Sequence, residues 1–90
     1  MHKAIIIGAS SGIGRELAKV LAKNGYSLGL VGRRIDLLLS LQQEVAPSSF
    51  TKQIDLSQTT QAMQLLKELI QQMNGVDLVV ISSGVGFINT

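Results

Sequence analysis

Apolar residues along this chain follow two alternating rhythms: short unbroken runs, and longer stretches in which they recur every three to four residues. Residues 4–7, Ala-Ile-Ile-Ile, form the first unbroken run. Consecutive β-branched positions suit a strand covered on both faces, as at the centre of a parallel sheet. Ile13, Leu17, Val20 and Leu21 then fall at helical spacing, and Asn24-Gly25, residues tolerant of the left-handed conformation, close that helix. A second strand is predicted over residues 27–32. Ile35, Leu38, Leu41 and Val45 carry a second helix that Pro47 stops. Residues 50–55 read as a third strand. Ser57 is the predicted N-cap of a third helix whose apolar face holds Ala62, Leu65, Leu66, Leu69, Ile70 and Met73, and Asn74-Gly75 ends it. Residues 77–82 form a fourth strand, apolar on both faces.

Strands alternating with helices, with no hairpin signal between strands, imply an α/β protein with a doubly wound, Rossmann-type parallel sheet of about four strands and three helices. Right-handed crossovers and the strand order 3-2-1-4 put the first two helices on one face and the third on the other. Strands 1 and 4 then flank the ligand crevice. The 90 residues make one domain at most. With 46% hydrophobic residues but only 3% aromatic ones, the core must be aliphatic. No linker, low-complexity tract or repeat interrupts the alternation.

Charge narrows the function classes. The net charge is +2, yet the eight Lys and Arg are scattered and only Arg33-Arg34 is a local cluster. Without a basic stripe, and with few aromatics, the chain is not expected to bind nucleic acid. The absence of cysteine excludes disulfides, thiol catalysis and Cys-based zinc sites; no metal site is predicted. The apolar run after Met1-His2-Lys3 stops at Gly8, too short for a signal peptide. No stretch approaches the roughly 18 to 20 apolar residues that span a bilayer, so a cytoplasmic protein with no membrane partner is expected.

The richest chemistry lies at residues 4–14, where the first strand runs into a glycine turn. Gly8, Gly12 and Gly14 supply the tight turn, close backbone approach and close helix packing that a pyrophosphate on a helix N-terminus requires. Their spacing is G-x-x-x-G-x-G, not G-x-G-x-x-G. Gly14 is followed by Arg15 and Glu16 rather than Lys and Ser or Thr, which excludes a nucleotide triphosphatase loop. A purely structural turn is the alternative. After the second strand, where a carboxylate favours NAD, the chain has Gly32, Arg33 and Arg34. Guanidinium groups bind phosphate through paired, charge-assisted hydrogen bonds, so NADP(H) is expected over NAD(H), with Arg33 the stronger candidate. The alternative is a solvated basic loop.

With Ser10 and Ser11, the glycine spacing resembles the cofactor loop of the short-chain dehydrogenase/reductase family, often Gly-Ala-Ser-x-Gly-Ile-Gly. The resemblance implies that Ser10, Ser11 and the backbone at Ile13 contact the cofactor phosphates and ribose. It sets Asp55-Leu56 beside the adenine, although Asp55 has the alternative role of starting the third helix. Ile81-Ser82-Ser83-Gly84 stands where the family commonly has Asn-Asn-Ala-Gly. Gly84 keeps the close backbone approach, while the hydroxyls of Ser82 and Ser83 replace the asparagines only in part.

The resemblance further implies that residues 1–90 are the N-terminal part of a single NAD(P)-binding domain, in an oxidoreductase that interconverts an alcohol and a carbonyl on a small-molecule substrate. The family's Ser and Tyr-x-x-x-Lys cannot be placed in this stretch. No catalytic residue is therefore assigned, and the chain alone is expected to be inactive. His2 and Tyr26 belong to the opposite end of the sheet, and Arg15 is expected to face solvent. A non-catalytic module sensing NADP(H) is the second reading. Because the chain stops soon after the fourth strand, that strand is predicted to be an unpaired edge, favouring homo-oligomers through strand pairing or burial of helix faces.

Overall fold

Side-chain alternation along the first strand divides the core into two layers. The structure, a computed structural model, describes residues 2–9, 12–45, 49–55, 57–81 and the backbone of 86–89. Its elements are β1 (Lys3–Ile7), α1 (Gly12–Lys23), β2 (Ser27–Gly32), α2 (Ile35–Val45), β3 (Phe50–Gln53), α3 (Thr59–Gln72), β4 (Leu78–Ile81) and β5 (Gly86–Asn89). Ala4 and Ile6 pack with Ala18 of α1, Leu28 and Leu30 of β2, and Leu38 and Leu41 of α2. Ile5 and Ile7 point the other way, into a layer with Val31, Ile54, Val79 and the α3 residues Ala62 and Leu69. The period of two in a strand makes this division, and it explains why β1 is apolar at every position from Ala4 onward.

The four parallel strands lie in the order β3-β2-β1-β4, with α1 and α2 on one face and α3 on the other, as the sequence pattern predicts. β1 sits between β2 and β4, pairing Ile7 with Val31 on one side and with Ile81 on the other. Two helix ends follow the predicted signals. At the end of α1, Gly25 takes φ +82°, with Gly25 N–H donating to the Ala22 carbonyl and Tyr26 N–H to Leu21. At the end of α3, Asn74 takes φ +60°, with Asn74 N–H bonded to Gln71 and Gly75 N–H to Ile70. Both are Schellman motifs, which satisfy carbonyls the helix leaves without partners. Reciprocal bonds then start β4 beside β1: Lys3 N–H donates to Asp77 Oδ2 at 2.8 Å, and Asp77 N–H to the Lys3 carbonyl at 2.8 Å.

Several expectations are corrected. A fifth strand, β5, pairs antiparallel with β4 from Leu78↔Asn89 to Ile81↔Gly86. The β4 edge expected to be open is thus occupied, because the chain folds back and supplies the missing backbone partners; this removes the argument for association through that edge. β3 ends at Gln53, two residues early, although Ile54 remains buried. Ser57 does not cap α3: the N-cap is Gln58, with no side-chain capping bond, since the Ser57 hydroxyl is bonded to Asp55. Ile13 and Val20 are 75% and 54% exposed. The sheet-facing side of α1 is formed instead by the small residues Gly14 and Ala18, which turns the neighbouring positions outward. Ile35 is likewise exposed. Pro47 lies outside the described residues.

Candidate functional site

β1 delivers the chain to Gly8 at the carboxyl end of the sheet, where φ is +87°, a conformation L side chains rarely adopt. The N–H groups of Gly8 and Ala9 both donate to the Val31 carbonyl, at 2.7 and 3.0 Å, tying the turn to the end of β2. α1 starts at Gly12, so the N–H groups of its first turn, at Gly12, Ile13 and Gly14, face back toward this turn without intrahelical partners. No acidic residue in that turn offsets the positive end of the helix dipole. Gly14, within the first turn of α1, is buried. Gly12 is exposed, has no positive φ, and a methyl group placed on it would meet no atom within 4 Å. Neither backbone conformation nor packing among the described residues accounts for glycine at that position. Ser10 and Ser11 lie outside the described residues.

Arg33 leaves the end of β2 fully in solvent reach. Its carbonyl accepts a 3.0 Å hydrogen bond from Gln53 Nε2, and its guanidinium has no ion pair among the described residues. Arg34 is engaged differently. Its carbonyl accepts the N–H bonds of Leu37 and Leu38 that open α2, and its guanidinium lies 3.4 Å from Asp36. Arg15, expected to face solvent, is half-exposed and pairs with Glu44 of α2. Lys19 reaches the same Glu44 at 3.7 Å. That network clamps α1 to α2.

Asp55 is exposed, and its Oδ1 accepts hydrogen bonds from the Ser57 hydroxyl at 2.8 Å and the Ser57 N–H at 3.0 Å. These bonds, first from the hydroxyl and then from the backbone, hold the carboxyl below its ordinary range, helped by the nearby positive charge of Arg33. A depressed carboxyl pKa stabilises the folded chain above the unfolded value, and that contribution is lost as pH falls through the lowered folded value. Side-chain carboxyl NMR is therefore expected to show Asp55 titrating below the ordinary value of 3.8, and Ser57→Ala to move the midpoint upward. An unmoved midpoint would mean the turn is not formed in solution. These bonds tie Asp55 to the turn that leads into α3. Leu56, Ser82, Ser83 and Gly84 lie outside the described residues.

Sequence reasoning missed two features. One is the Gln53 contact with Arg33, whose only signal was a polar residue at the end of a strand. The other is an apolar cavity of about 220 Å³ between the carboxyl ends of the strands and α3. Ile7, Val31 and Ile54 form its floor, and Thr59, Met63 and Leu66 its wall. His2 and Tyr26 stack at the opposite end of the sheet, ring centroids 5.4 Å apart, remote from all of these groups. Among the described residues no helix is long and apolar enough to cross a membrane.

A parallel sheet whose order reverses between β1 and β4, with a glycine turn feeding a helix N-terminus at that point, defines a doubly wound α/β protein of the Rossmann type. The chain belongs to the short chain dehydrogenase family, whose model matches residues 2–90. An uncharacterized oxidoreductase of Myxococcus xanthus is 35% identical over 86 residues, covering 92% of this chain and 34% of that protein. Among solved structures, the alcohol dehydrogenase of the archaeon Thermococcus sibiricus, complexed with 5-hydroxy-NADP, superimposes with a TM-score of 0.80 at 32% identity over 88% of this chain and 35% of its own. Acetoin dehydrogenase YohF of Salmonella typhimurium gives 0.81 at 29% identity, again over 88% of this chain and 35% of its own. The chain thus spans about a third of the length of these relatives.

Proposed function

We propose that residues 1–90 are the N-terminal, NADP(H)-holding part of a single Rossmann domain, in an oxidoreductase that interconverts an alcohol and a carbonyl on a small molecule. The observation that carries the cofactor choice is Arg33. It is an exposed guanidinium without an ion pair among the described residues, and its backbone is fixed at the end of β2, beside the strand that feeds the glycine turn. The relative complexed with 5-hydroxy-NADP supports the same reading.

The residues present fit such a group. In this reading the turn at Gly8 and the N–H groups of Gly12, Ile13 and Gly14 hold the pyrophosphate, and no side chain at Gly12 stands in its way. Ser10 and Ser11 add hydroxyl contacts. Arg33 donates to the 2′-phosphate in the paired geometry a guanidinium permits, and Arg34, already near Asp36, contributes less. Asp55 and Leu56 border the adenine, whose flat apolar faces suit the cavity over Ile7, Val31 and Ile54. Ser82, Ser83 and Gly84 line the ribose side. The cofactor, when bound, supplies hydride chemistry; these side chains hold and orient it, and no proton-transfer role is assigned among them.

Calorimetric titration of the whole protein with NADPH and NADH tests the proposal. NADPH is expected to bind about tenfold or more tightly, the worth of one charge-assisted contact. Equal affinities would overturn the NADP(H) assignment, and heat from neither would overturn the dinucleotide site.

A further inference from the structure

Three consecutive residues after the body of β2 are held through their backbones. The Gly32 carbonyl accepts from Ile54 N–H at 3.0 Å, continuing the β2–β3 ladder by one bond. The Arg34 carbonyl accepts the first two N–H bonds of α2. Between them the Arg33 carbonyl has neither ladder nor helix to bond to, and a side chain meets it instead. Gln53, paired with Gly32 in the strand register, reaches back across the end of the sheet and donates Nε2–H to the Arg33 carbonyl at 3.0 Å. The bond spans twenty residues of sequence, so it locks the end of β3 to the one stretch of the β2–α2 connection that neither element fixes.

We propose that Gln53 is a positioning residue for cofactor selectivity, acting through Arg33 by fixing the peptide from which the guanidinium projects. The inference rests on the assignment of Arg33 to the 2′-phosphate. A flexible arginine binds phosphate as a mobile charge, whereas one whose backbone is fixed keeps its planar donor fork aligned and loses less entropy on binding. Gln53 is assigned no contact of its own with the nucleotide. Its effect therefore falls on the ligand that carries the 2′-phosphate and not on the one that lacks it.

Gln53→Met keeps the length and removes the donor without adding charge. In titrations of the whole protein with NADPH and NADH, this variant is expected to weaken NADPH about three- to tenfold, the range set by one lost hydrogen bond, and to leave NADH within about twofold. Arg33→Ala, measured alongside, separates the role of the arginine from that of the glutamine. If Arg33→Ala removes the NADPH preference but Gln53→Met does not change it, the positioning role is overturned and the arginine assignment stands. Equal weakening of both nucleotides by Gln53→Met would show a merely structural role and also overturn the proposal. If Arg33→Ala leaves the preference intact, the reading beneath the proposal fails, and the proposal with it.

Discussion

Arg33→Ala is expected to lower NADPH affinity about ten- to a hundredfold, the equivalent of one or two hydrogen bonds to an ionised group, while NADH affinity stays within about twofold. The size of the effect follows from what surrounds Arg33. Its guanidinium is exposed and makes no ion pair among the described residues, so its removal takes away only a weak, solvent-screened attraction to Asp55. Thermal stability should accordingly change by less than about 0.5 kcal/mol, as for surface substitutions away from structural contacts. Arg33→Lys is expected to fall between, because an ammonium keeps the charge but loses the planar fork. Raising ionic strength should erode the NADPH preference of the unmodified protein, since the Debye length shrinks from about 8 Å at physiological salt to about 3 Å at 1 M and exposed charge pairs weaken accordingly. Unchanged NADPH binding in Arg33→Ala would leave the two arginines as a solvated basic loop.

Gly29→Val is expected to act on the fold itself, destabilising it far more than Arg33→Ala does. Gly29 lies in β2 directly beneath α3, and a methyl group built on it would stand 2.8 Å from Met73 Sδ, 3.2 Å from Ile5 Cγ1 and 3.3 Å from Leu69 Cδ2. Met73 and Leu69 are residues through which α3 docks, and both are buried with Ile5 in one layer. A β-branched side chain must push the helix away or force these neighbours off their rotamers, at about 1–3 kcal/mol for overpacking. For a domain of this size that corresponds to a fall in Tm of about 5–20 °C, readable by circular dichroism. Met73→Ala in the same chain opens room at the nearest contact, so the double variant should be less destabilised than the sum of the single ones. A Gly29→Val melt within about 2 °C of the unmodified protein would show that α3 does not press on β2 this closely.

The site was legible in proportion to how far its geometry depends on neighbours in sequence. The glycine turn could be read because a positive φ, as at Gly8, is a local requirement that few other residues meet. Asp55 was harder. Its spacing allowed either a ligand contact or a helix start, and only the two bonds from Ser57 show how the carboxylate is occupied. The same bonds explain why Ser57 was misread as a helix cap: its hydroxyl was already engaged two residues back. Arg33 and Arg34 were indistinguishable in the sequence except by position. The fold separates them by setting Asp36 beside Arg34 and leaving Arg33 without an ion pair among the described residues.

The sequence by itself determined the alternation of strands and helices, the order β3-β2-β1-β4, the two faces of the sheet and the glycine turn at its carboxyl end. All of these follow from apolar period, turn chemistry and the handedness of crossovers, which act over a few residues or apply to every chain. Tertiary structure alone decided which apolar residues are covered: on α1 the small Gly14 and Ala18 meet the sheet, and Ile13 and Val20 are left in solvent. It also decided that β4 acquires an antiparallel neighbour, that Gly29 leaves room for α3, and that Gln53 reaches the Arg33 peptide. Each of these is set by the separation of packed layers and the reach of individual side chains or strands, and neither quantity is written in local pattern.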